Sequence, residues 1–126
     1  MGCASQKYEA TNLPVDQIRF GEGGGFTGAV TEYCLLNNGQ IFIKKDFISD
    51  FKTFKKIKKS KAKKYFESCD QINIQNIQMD NPGDKYYFIT FQTEALEHKV
   101  TWGRDMKEVP KHIMELYQSL RSEIIK

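Results

Sequence analysis

Three glycines near the start of the chain have a spacing that suits phosphate chemistry. The stretch "GEGGGFTGAV" holds Gly23-x-Gly25-x-x-Gly28-x-Val30, the spacing of a kinase phosphate lid and, without the valine, of a dinucleotide-binding loop. A dinucleotide loop needs a helix directly behind it, whose N-terminus meets the pyrophosphate. Here Ala29, Val30, Thr31, Glu32 and Tyr33 follow, and they favour a strand. A P-loop needs Lys and then Ser or Thr after its last glycine, but Ala29 and Val30 stand there. The other kinase segments are missing, and 126 residues cannot hold two lobes. No nucleotide and no cofactor is therefore expected. Gly23, Gly24 and Gly25 read as a turn between two strands, Gly28 as a bulge or close approach in the second, and Phe26 as an inward anchor. A glycine loop at a sheet end suits contact with a partner, so Glu22, Gly23, Gly24, Gly25 and Thr27 form the candidate contact loop.

The remaining reactive side chains do not assemble into a catalytic set. Cys3, Cys34 and Cys69 fit no zinc spacing, and His98 and His112 have no ligand neighbour in sequence. No metal site and no enzyme is read from these residues. Asp105 and Glu108 precede a helix, where they favour its dipole. Cys34 and Cys69 fall on apolar faces, of a strand and of a helix respectively. A bridge between them is conceivable in an oxidising compartment, but strand–helix pairs seldom bring two Cα atoms within about 7 Å, which favours two buried free thiols.

Cys3 carries a different chemistry. In "MGCASQKYEA", Gln6 stands where N-myristoylation wants Ser or Thr. Gly2-Cys3 instead resembles the cleavage point of a bacterial lipobox, with Cys3 as the first mature, lipid-bearing residue. Residues 1–13 would then be a flexible tether ending before Pro14, and residues 14–126 a single domain.

Ten of the 19 basic residues are lysines between Lys44 and Lys64. Lys52, Lys55, Lys56, Lys58, Lys59, Lys61, Lys63 and Lys64 form the candidate basic surface, with almost no acid nearby. The plain reading is a solvated face. The functional one is contact with anionic lipid headgroups, worth about 1 kcal/mol per lysine near such a surface. Nucleic acid fits less well, because arginines and interleaved stacking aromatics are scarce there.

The elements that must position these residues follow from periodicity. "VDQIRF" puts Ile18 and Phe20 on one face of a short strand, and Thr27–Leu36 reads as the next. Asn38-Gly39 suits a type I′ hairpin turn into "QIFIK". Residues 46–59 stay open: Phe47, Phe51 and Phe54 have helical spacing, while "TFKKI" suits a strand. From an N-cap at Ser60, Ala62, Tyr65, Phe66 and Cys69 mark an amphipathic helix. "NPGDK" is a turn before "YYFITFQT", and "HKVTWG" is its hairpin partner. Pro110 opens a last helix striped by Ile113, Leu116, Tyr117, Leu120 and Ile124. The expected order is strand, hairpin, helix, hairpin, helix. This is an α+β fold: an antiparallel sheet of four or five strands, with two helices packed on one face.

"GGGFTG", "NNGQIF", "AKKYFE", "NPGDKYYFITF", "HKVTWG" and "VPKHIMELYQSL" together resemble small bacterial lipoproteins and secreted domains of mostly unassigned function. Gly24, Gly25, Phe26, Gly28 and the late Pro-then-Leu helix are also similar to the emfourin-type inhibitors of thermolysin-like metalloproteases. No inhibitory residue of that family is matched here one for one. The first resemblance implies a lipid-anchored, non-enzymatic binding module in the cell envelope of a Gram-negative bacterium, on the periplasmic side or at the cell surface. Its partners would be the membrane, through the N-terminal lipid, and a protein not yet identified. The second implies a protease inhibitor acting through a loop. A basic nucleic-acid-binding domain is the third alternative.

Overall fold

A computed structural model describes residues 7–24, 29–46, 50–81, 84–103 and 109–125. It is α+β. Strands β1 (Gln17–Gly24), β2 (Val30–Leu36), β3 (Gln40–Lys45) and β4 (Lys52–Lys56) precede helix α1 (Lys59–Gln71). A two-residue strand β5 (Asp80–Asn81), β6 (Lys85–Gln92) and β7 (Glu97–Gly103) follow, and helix α2 (Lys111–Ile125) is last. The sheet order is β4-β3-β2-β1-β6-β7-β5. Six strands pair antiparallel, and β5 lies parallel to β7. The expectation of four or five strands is corrected. The ambiguous segment supplies β4, and the short β5 closes the far edge, where the Thr101 N–H meets the Met79 carbonyl at 2.9 Å.

Other local expectations shift with identifiable causes. The hairpin at Asn38-Gly39 is not type I′, which needs positive φ at both central residues. Of the two, Gly39 alone is left-handed, at φ 100°, and its N–H bonds the Leu36 carbonyl at 3.0 Å, so the loop spans three residues. Helix α1 starts one residue before Ser60, with Lys58 as an N-cap that makes no side-chain cap bond. Its far end stops at Asn73, left-handed at φ 53°, a residue that tolerates that conformation. The readings of Phe26, Gly28, Phe47, Asp105 and Glu108, and of Pro82-Gly83 in the "NPGDK" turn, lie outside the described residues.

The register divides the sheet into two faces. Ile18 pairs with Leu35 and Phe91, and Phe20 with Tyr33 and Ile89, so these residues share one face. Both helices pack there. Phe66 of α1 meets the Phe91 ring at 6.2 Å, and Tyr117 of α2 meets Trp102 at 5.2 Å, edge to face. Phe20, Ile18, Ile89, Val100, Trp102, Ile113 and Leu120 are buried in this layer. Each such side chain contributes about 1.5–3 kcal/mol relative to exposure.

Among the described residues, the opposite face carries no helix. Its apolar part, Cys34, Leu36 and Phe42, is covered by Tyr8, Ala10, Leu13 and Phe51. The Tyr8 N–H donates to Gln40 Oε1 at 2.7 Å, and Gln40 Nε2 returns a bond to the Tyr8 carbonyl at 3.1 Å. Among the described residues, packing against the sheet is therefore already present at Tyr8, well before Pro14. The segment lacks periodicity because it crosses the sheet irregularly, with three apolar side chains in contact. Beside it lies a polar network: Arg19 Nη1 donates to Gln17 Oε1 at 2.6 Å and Gln92 Oε1 at 2.7 Å, and Nη2 pairs with Glu97.

Cys34 and Cys69 belong to opposite layers of the molecule, one under the N-terminal segment and one in the helix layer. Both are free, and burial pushes each thiol up to about 12. In a Cys3→Ser chain at about pH 8, a thiol reagent should label neither while the protein is folded. Both should react after unfolding without reductant. Rapid labelling of the folded chain, or a missing thiol after unfolding, would contradict this arrangement.

Candidate functional site

Glu22, Gly23 and Gly24 are the last residues of β1: the first two pair with both β2 and β6, and Gly24 pairs with Lys85 of β6, while Gly25 and Thr27 lie outside the described residues. These three are strand residues and not part of a turn. The glycines answer to their neighbours. A Cβ on Gly21 would run into the Thr31 carbonyl of β2, and one on Gly23 would lie 2.6 Å from Tyr86 Oη. The Tyr86 side chain thus crosses the space that a residue at 23 would fill. Gly24 adopts φ 80°, where L side chains are strained.

Glu22 is the charged centre of this end of the molecule. Arg121 Nη1 donates to its Oε1 at 2.9 Å, and Lys85 Nζ sits 3.1 Å from its Oε2. Burial pushes the Glu22 carboxyl up, but the hydrogen bonds and charges of Arg121 and Lys85 outweigh it and hold the group below its ordinary value. Tyr117 completes the set. Its hydroxyl donates to the Gly21 carbonyl at 3.1 Å, and burial foremost pushes its phenol up to about 12. It therefore stays protonated at neutral pH.

Glu22, Tyr117 and Arg121 border a cleft of about 360 Å³ between α2 and the β6–β7 pair. Tyr87, Trp102 and Tyr117 form its aromatic wall, each ring contacting the other two at centroid distances of 5.2 to 6.2 Å. Met114 and Gln118 of α2 complete the lining with Gly103. Tyr87 and Trp102 face each other across β6 and β7, and Tyr117 and Arg121 are one helical turn apart. The sequence reading missed this cleft. The apolar stripe marked Tyr117 as core, and nothing local links Arg121 to Glu22, 99 residues away. The one available signal was an arginine one turn beyond a stripe tyrosine.

The lysines divide into two groups. Lys52, Lys56, Lys58, Lys59, Lys63 and Lys64 are exposed on β4, the connection after it, and the first half of α1. Lys55 and Lys61 bind the far helix instead: Lys55 Nζ donates to the Glu123 carbonyl at 2.6 Å, and Lys61 Nζ sits 3.1 Å from Glu123 Oε2. Their ammonium groups join α2 to β4 and α1, and Lys61 still keeps 45% of its side chain exposed. Tyr65 also donates to Glu123 Oε2 at 2.7 Å, so the buried carboxylate has both a charge partner and a neutral donor.

The other candidates are placed as follows. Cys3 lies outside the described residues. His98 Nε2 is 2.7 Å from the Ile77 carbonyl, which fixes the ring against the turn before β5. Among the described residues, no three His, Cys, Asp or Glu side chains converge as a metal ion would require. No protein-family model matches the chain, and no curated protein matches it.

Two outcomes follow from the Glu22 end. Gly21→Val should lower stability by about 1–3 kcal/mol, because the Thr31 carbonyl must move within the central strands. Chemical denaturation measures this, and an unchanged midpoint would refute the crowding. Glu22 contributes stability that is complete above the ordinary value of 4.5 and lost as pH falls through its depressed folded value. Glu22→Gln should cost about 1 kcal/mol at neutral pH. It should also flatten the acid limb of the stability–pH curve below 4.5. Identical acid limbs would remove the carboxylate from this role.

Proposed function

We propose that the chain is a lipid-anchored, non-enzymatic binding module of a Gram-negative cell envelope, held through Cys3, with its exposed lysines against anionic headgroups. One observation carries the reading. Gln40, which holds Tyr8 at the packed end of the N-terminal segment, faces Lys56 across the β3–β4 pair. Tyr8, at the described end of the N-terminal segment, therefore lies beside the lysine-rich edge. An acyl chain there brings Lys56, Lys58 and Lys59 toward the same surface that holds the lipid.

The edge itself fits such a surface. Strand β4 is outermost, and its register with β3 shifts between Ile41 and Phe42. Ile41 faces Lys55 and Phe42 faces Thr53, leaving Phe54 as the extra residue. Phe54 meets the Tyr33 ring at a tilt, with centroids 5.6 Å apart, and still keeps 40% of its surface exposed. An exposed aromatic among lysines suits the boundary between headgroups and acyl chains, where apolar contact and charge attraction act together. The lysines also guard the open strand edge against pairing with another chain, a role compatible with the first.

Two measurements decide the proposal. Metabolic labelling with an alkyne palmitate should tag the protein in the membrane fraction and miss Cys3→Ser; equal labelling of both would sink the anchor. The unacylated Cys3→Ser chain should co-sediment with phosphatidylglycerol vesicles at low salt and not with phosphatidylcholine vesicles. Changing Lys52, Lys56, Lys58, Lys59, Lys63 and Lys64 to Glu should weaken that binding at least tenfold, given about 1 kcal/mol per lysine. Equal binding by the reversed variant would separate the lysines from the membrane.

A further inference from the structure

The cleft beside Glu22 lies outside the lysine surface, and its chemistry is different. Three features point to a ligand. The first is its size and wall: about 360 Å³, lined by three aromatic side chains and Met114. Small-molecule sites are concave, mostly apolar and furnished with a few convergent polar groups. The second is charge. Two cations, Arg121 and Lys85, converge on one carboxylate, leaving the group with a single net positive charge. The third is the arrangement of the guanidinium. Glu22 accepts from one Arg121 nitrogen, yet a guanidinium has five N–H donors, and its side chain keeps 34% of its surface exposed.

From these we infer that the cleft binds a small aromatic carboxylate. The ring lies against Tyr87 and Met114, the apolar lining side chains that keep exposed surface, while Trp102 and Tyr117, only 2% and 6% exposed, contact Tyr87 from within the core. The carboxylate meets Arg121, whose planar donors match it in a forked geometry. A single net positive charge suits a monoanion better than a phosphate dianion. The ring and the acid must be close together, because the aromatic wall and Arg121 border the same cleft. The same chemistry is found in a free aromatic acid and in the C-terminal residue of a peptide ending in Phe.

The chain reports on this site by itself, since Trp102 is its one tryptophan and lines the cleft. Titration of the full chain with 3-phenylpropionate should change the tryptophan emission saturably, and 3-phenylpropionamide should bind at least tenfold more weakly. A tripeptide ending in Phe, as free acid and as amide, distinguishes the sources. Tighter binding of the peptide acid than of phenylpropionate assigns the site to chain ends, and the reverse assigns it to free acids. Arg121→Gln should weaken binding at least tenfold. Glu22→Gln, which removes the competing carboxylate, should tighten it severalfold, an effect that a purely structural ion pair would not produce. If circular dichroism finds Arg121→Gln unfolded, Arg121→Lys, which keeps the charge beside Glu22 but loses the forked donors, decides in its place by the same weakening. No saturable change at millimolar acid, equal response to acid and amide, or indifference to the folded cation variants would overturn the inference.

Discussion

Strand β1 must pair along both of its edges while side chains crowd both of its faces. It joins β2 on one side and β6 on the other through almost its whole length. Glycine at 21 and 23 meets that demand. Without a Cβ, Gly21 lets the Thr31 carbonyl close in, and Gly23 leaves room for the Tyr86 ring. The ladder then stays continuous out to Gly24, so Glu22 arrives in a fixed position under α2. The aromatic cleft, the Arg121 pair and the seating of α2 through Tyr117 all rest on this strand. The two hairpin-and-helix halves of the chain also meet here, at the β1–β6 pair.

Charge completes what apolar packing leaves undefined. Leu120 and Ile113 would seat α2 on almost any apolar floor. Glu123 selects one position, because its carboxylate binds Tyr65 and Lys61 of α1 while its carbonyl binds Lys55 of β4. On the bare face of the sheet, Arg19 does the same for β1, β2, β6 and β7 through Gln17, Glu32, Gln92 and Glu97. Each network is made of residues far apart in sequence, and each sits where a register slip would leave a cation without its acceptors.

That distance explains what could be read in advance. Alternation in "YYFITFQT" and the stripe from Ile113 to Ile124 gave β6 and α2 because a face repeats locally. β4 stayed open because its bulge breaks the alternation: Phe54 and Lys55 both turn toward the helices, which a strict period of two cannot encode. The glycine run looked like a loop because glycine is rare within strands, and only the neighbouring strands reveal why it is needed. The cleft was the least legible part. Glu22, Lys85, Trp102 and Arg121 come from four elements, and none has a neighbour in sequence that announces the others.

The bonds between Tyr8 and Gln40 set an order of assembly. Tyr8, Ala10 and Leu13 cover Cys34, Leu36 and Phe42, which belong to β2 and β3. The covering segment comes before those strands in the chain, yet it can seat only after they have paired, because its apolar floor and its glutamine partner exist only in the finished hairpin. It is a closing piece and not a founding one. Until it seats, the Cys34 side of the sheet stays open to water, and the last step of folding is the one that makes that thiol unreachable.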